Sequence, residues 1–116
     1  MEILSQGFNP HMPHAVFEIS CNDCDSLEDL FRLAASILSF PSYFWIGNRW
    51  DSLVDCLMDL SWIESDSIII RFAGFQSMRM LLTPEESNDF IETMQFVAHH
   101  CHQHKPLHKQ FRIVID

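Results

Sequence analysis

Three aspartates, Asp51, Asp55 and Asp59, stand four residues apart, an interval that lines them up along one face of a helix. Like charges at this spacing repel, each adjacent pair costing about 0.2–0.5 kcal/mol in an isolated helix. Asp also has poor propensity for a helix interior. A row of carboxylates that burdens its own helix can imitate successive phosphates and recruit the Arg and Lys side chains of a nuclease. The competing reading is a solvated face on an acidic protein. Just ahead of the row, Tyr43, Phe44, Trp45 and Ile46 run into Gly47, Asn48 and Arg49, which is unusually aromatic for a connection. Trp45 suits an interface anchor and equally suits a side chain folded back onto the core. Gly47 is expected to supply a backbone conformation closed to other residues.

Two further constellations could carry chemistry. Cys21 and Cys24 have the two-residue spacing of zinc and redox motifs, and His99, His100, Cys101, His102 and His104 crowd one segment. The two groups lie far apart in sequence, and histidines at the end of a helix are also explained by favourable interaction with its dipole when protonated. The expectation is no metal and no cofactor. Cys56 as a nucleophile would need a positioned base, and it lies inside a helix beside Asp55, where acidic neighbours raise a thiol pKa. The chain is therefore expected not to be an enzyme.

Composition narrows the partners. Sixteen Asp and Glu against seven Lys and Arg give a formal charge of -9, which repels nucleic-acid phosphates and anionic lipid and suits a basic protein. The opening Met1-Glu2-Ile3-Leu4 lacks a basic leader, and no apolar run approaches a membrane span. A cytoplasmic protein, monomeric when free and with reduced thiols, is expected.

The elements that must position these residues follow from periodicity. With 47% hydrophobic residues in 116, the chain has the material for one packed core. Residues 1–14 hold turn formers and read as an irregular lead-in, leaving 15–116 as a single domain. Ala15 to Ser20 reads as a strand. Leu27, Leu30, Phe31, Ala34, Ile37 and Leu38 mark a helix capped by Asp25 or Ser26 and ended at Phe40-Pro41. A second helix, about Arg49 to Leu60, buries Trp50, Leu53 and Leu57, and Trp62 at its exit also suits the core. Ser67 to Ala73 is a β-branched strand. Thr83-Pro84 with Glu85 and Glu86 opens a helix that runs to about His104, and Phe111 to Ile115 is a last strand. This β-α-α-β-α-β order predicts a small α/β domain, a three-stranded parallel sheet with packed helices.

Residues 40–62, FPSYFWIGNRWDSLVDCLMDLSW, resemble the barstar family of ribonuclease inhibitors. There a loop with Pro, Tyr and a second aromatic leads to Gly and then to Asp-x-Leu-x-Asp-Cys-Leu on a helix. Pro41, Tyr43, Phe44, Gly47, Asp51, Leu53, Asp55, Cys56 and Leu57 keep that order. The resemblance implies an immunity protein whose loop and helix enter the active site of a basic nuclease toxin. Asp55 would then take the place of a substrate phosphate, with Asp51 beside it and Tyr43 and Phe44 as aromatic contacts. Trp45, Ile46, Gly47, Asn48, Arg49, Val54 and Asp59 would complete the surface. Departures are present. Trp45 and Ile46 lengthen the loop by two residues, Arg49 stands where the family commonly has Asn, and Val54 replaces a large aromatic. The long last helix offers no acidic residue that can be equated with the family's additional contact. An adaptor or assembly subunit, or a zinc-binding domain using Cys21 and Cys24 with the His99–His104 cluster, are the alternatives.

Overall fold

The computed structural model describes residues 1–100 and 110–116. Strands β1 (Glu2–Leu4), β2 (Ala15–Ser20), β3 (Ser67–Ala73) and β4 (Gln110–Ile115) and helices α1 (Leu27–Ile37), α2 (Arg49–Asp59), α3 (Phe75–Met78) and α4 (Pro84–His100) follow one another as β1-β2-α1-α2-β3-α3-α4-β4. The period-two alternation of the strands decides their layering. On β3, Ile68, Ile70 and Phe72 are buried while Arg71 between them is exposed; on β4, Phe111, Ile113 and Ile115 are buried. Among the described residues, helices thus close over one face of the sheet. On the other face Arg71 pairs with Asp116 and Glu18, and Arg112 with Glu2.

Among the described residues the sheet has four strands in the order β1-β4-β3-β2, which corrects the expected three-stranded parallel arrangement. β3 is parallel to both β2 and β4, as crossover helices require, whereas β1 lies antiparallel against β4 with Ile3 opposite Ile113. The reading of residues 1–14 as irregular is corrected at the same place, because Glu2–Leu4 is a strand. Three residues are too few to show an alternation. Tertiary pairing holds β1: Ser5 donates its amide to the Phe111 carbonyl at 2.9 Å and its hydroxyl accepts from the Phe111 amide at 2.7 Å.

Helix ends follow their local chemistry. The Ser26 hydroxyl caps α1 by accepting from the Asp29 amide at 3.2 Å. Thr83 and Glu86 make a reciprocal capping box before α4, the Thr83 hydroxyl accepting from the Glu86 amide at 3.1 Å and the Glu86 carboxylate from the Thr83 amide at 2.9 Å. The expected continuation of α4 from His100 to His104 lies outside the described residues. Helix α3 follows β3 directly through Gly74 in the left-handed region, and buries Phe75 and Met78. Its single turn is too short for a periodic pattern.

Candidate functional site

The segment between α1 and α2 is held by hydrogen bonds within its turn and to the helices on either side. Pro41 opens a tight turn over Ser42–Trp45, in which the Phe44 amide donates to the Pro41 carbonyl at 3.0 Å and the Ile46 amide to the Tyr43 carbonyl at 3.1 Å. Gly47 then takes φ +82, a conformation that L side chains rarely adopt, although open space surrounds it. Asn48 starts α2, its side-chain oxygen accepting from the amides of Trp50 at 2.8 Å and Asp51 at 3.2 Å. The Ser52 hydroxyl reaches back to the Ile46 carbonyl at 3.4 Å.

Two neighbouring aromatics in this turn have opposite fates. Phe44 is wholly buried, its ring 5.2 Å from that of Phe40 and 5.0 Å from that of Trp45. It has no surface to give a partner, which corrects the expectation of an aromatic contact there; it supports the turn from beneath. Tyr43 is partly exposed, and its phenol reaches the buried Cys56 thiol on α2. Burial, then the bond to Cys56 and the nearby Asp59 and Asp55 charges, push the phenol up to about 12. Trp45 is 44% exposed and Ile46 75% exposed, so they crown the turn. Trp50 and Trp62 pack against the core as expected, Trp62 donating to the Leu38 carbonyl at 2.8 Å.

On α2 the four-residue interval does what the sequence requires. Leu53, Cys56 and Leu57 are buried, while Asp51 and Asp55 are exposed and Asp59 half-buried. Successive carboxylates therefore rise by about 6 Å along the axis. Among the described residues no Arg or Lys forms an ion pair with any of the three. Arg49, read from the sequence as part of the partner surface, turns inward instead, to Glu28 of α1 at 3.2 Å and the Phe44 carbonyl at 3.0 Å.

A neighbour not visible in the sequence joins the row. An open groove of about 420 Å³ runs between α2 and α4, lined by Trp50 and Val54 on one side and Asp89, Glu92, Thr93 and Phe96 on the other. Asp89, Glu92 and Phe96 are exposed. Val54, half-buried, forms part of the wall of this groove. The spacing of the exposed α4 residues was a usable signal, but only the packing of α4 on α2 says which face meets the row.

The sulfur groups are arranged as core side chains. Cys21 and Cys24 are buried, their thiols directed at the carbonyls of Ile19 at 3.8 Å and Ser20 at 3.9 Å. Burial, and then the neighbouring Cys24, pushes the Cys21 thiol up to about 12; burial followed by Asp29, Asp23 and Asp25 raises Cys24. Protonated thiols facing carbonyls are poor metal ligands. Cys101, His102 and His104 lie outside the described residues, and among the described residues no three His, Cys, Asp or Glu side chains converge on a metal-sized point. No helix among them is long and apolar enough to cross a membrane.

One helical layer on a mixed sheet, with an aromatic turn feeding a carboxylate row, places the chain among the small α/β domains. Residues 14–116 match the family described as Barstar (barnase inhibitor), and the chain belongs to that family. No curated protein matches it.

Proposed function

We propose that the chain is an immunity protein that blocks a cognate basic nuclease, a ribonuclease by family resemblance, by filling its active-site cleft with the turn 41–48 and the exposed side of α2. The observation that carries this is the exposed pair Asp51 and Asp55, which form no ion pair among the described residues, on a helix of a barstar-family chain. Carboxylates already held in a row by the helix can receive the Arg and Lys side chains that grip successive phosphates. Tyr43, Trp45 and Ile46 supply an apolar rim beside the charge, and the α2–α4 groove with Asp89 and Glu92 extends the acidic area. The chain contributes occupancy and no chemical step. It works as a monomer in the cytoplasm, where its thiols stay reduced.

The test is inhibition of RNA cleavage by barnase and a panel of basic ribonucleases. Wild-type chain is expected to suppress cleavage stoichiometrically, and Asp51→Ala with Asp55→Ala to abolish the effect while the fold persists. Full protection by the double variant, or no inhibition of any enzyme in the panel, would overturn the proposal.

A further inference from the structure

Arg49 is misplaced on two counts for a residue of an acidic inhibitory surface. It is the first residue of α2, where the positive end of the helix dipole disfavours a cation. It also stands beside the carboxylate row, where a positive charge would repel the cationic cleft the row is proposed to enter. Its surroundings give it another task. The side chain is only 24% exposed, and its guanidinium bonds to Glu28 at 3.2 Å and to the Phe44 carbonyl at 3.0 Å. Its central carbon lies 5.4 Å from the Phe44 ring centre and 5.2 Å from that of Trp45. Glu28 shares the same carboxylate oxygen with Arg32 at 3.1 Å, and Arg32 lies 6.0 Å from the Trp45 ring centre.

We infer that Arg49 is the positioning residue of the inhibitory turn: with Glu28 and Arg32 it braces Trp45 between α1 and α2, so that Trp45 and Ile46 are a preformed apolar wedge. The planar guanidinium is suited to this, since it donates in two directions while stacking on rings, which a Lys ammonium cannot do together. A braced turn pays less ordering entropy on binding, and its fixed crown selects partners that offer an apolar recess beside their cationic cleft. The bracing concerns the free chain; its effect on affinity rests on the inhibitor reading.

The decisive measurement is amide hydrogen exchange in the free protein, read at Phe44 and Ile46, whose amides bond within the turn. Arg49→Gln is expected to speed exchange at both by about tenfold, the order expected on losing a hydrogen bond to a charged group, while the amides of β3 keep their protection. Glu28→Gln, which spares Arg49, is expected to act in the same direction, and Arg49→Lys not to restore the wild-type rates. Unchanged exchange at Phe44 and Ile46, equal acceleration in β3, or full rescue by Lys would each overturn the assignment. With barnase as the probe, Arg49→Gln is expected to weaken inhibition although it removes a repelling charge; tighter inhibition would count against the brace. Failure of the wild-type chain to inhibit barnase or the ribonuclease panel would sink the inhibitor reading and leave the exchange result to stand by itself.

Discussion

Cys56 lies directly under the carboxylate row, between exposed Asp55 and buried Leu57, and is itself wholly buried. Burial raises its thiol above the ordinary 9.0; the bond from Tyr43 opposes the rise, and Asp55 and Asp59 add to it. Cys21 and Cys24 are raised in the same direction. A group that holds its proton more tightly in the folded chain favours folding fully below its unfolded pKa, and this contribution fades as pH climbs toward the folded value. The melting temperature is accordingly expected to lose the thiol contribution above pH 9.0, with native thiolate absorbance lagging behind that of the denatured chain. Coincident thiolate titration of native and denatured protein would show that these sulfurs are not held as the structure has them. The same residue-level view separates Tyr43 from Phe44. Their types and order were legible, but adjacent aromatics in a tight turn point in different directions, and sequence alone cannot tell which one turns inward.

At the scale of elements, the junction of turn and helix depends on Asn48, whose side chain serves two amides of the first turn of α2. Asn48→Ala is expected to lower unfolding stability by about 1 kcal/mol, and Asn48→Gly by only a few tenths. Denaturant titration would read this as a shifted midpoint at constant slope; equal losses for Ala and Gly would mean that the cap is not the source. The family resemblance placed Asn48 on the partner surface; the helix start at Arg49 was legible, but the cap shows only in the two amide bonds that the Asn48 side chain accepts. Strong local signals were read correctly, including the Thr83 to Glu86 helix start and a cap of α1 at Asp25 or Ser26, which falls on Ser26. The strand at Glu2–Leu4 was not, since its support comes from β4, more than a hundred residues along the chain. The groove between α2 and α4 was hidden for the same reason: each wall is amphipathic on its own terms, and the pairing is tertiary.

Across the whole molecule, the charge of -9 and the local row would act on different steps of association in the proposed complex. Long-range acidity draws a basic partner in and is screened beyond a Debye length of about 10 Å at 0.1 M salt, falling to about 3 Å at 1 M. A carboxylate that ends up desolvated against an Arg or Lys instead governs how long the complex lasts, and its truncation costs about 2–5 kcal/mol, a magnitude drawn from complexes that include barnase with barstar itself. Glu64 is exposed just beyond α2, whereas Asp55 is at the middle of the row. Stopped-flow association with barnase is therefore expected to show Glu64→Gln slowing the on-rate slightly, an effect that vanishes as salt rises. Asp55→Ala should accelerate dissociation strongly, with most of the loss persisting at high salt. If the Asp55 defect lay wholly in the on-rate and faded with salt like that of Glu64, the row would be part of the general acidic field, and phosphate mimicry would lose its physical basis.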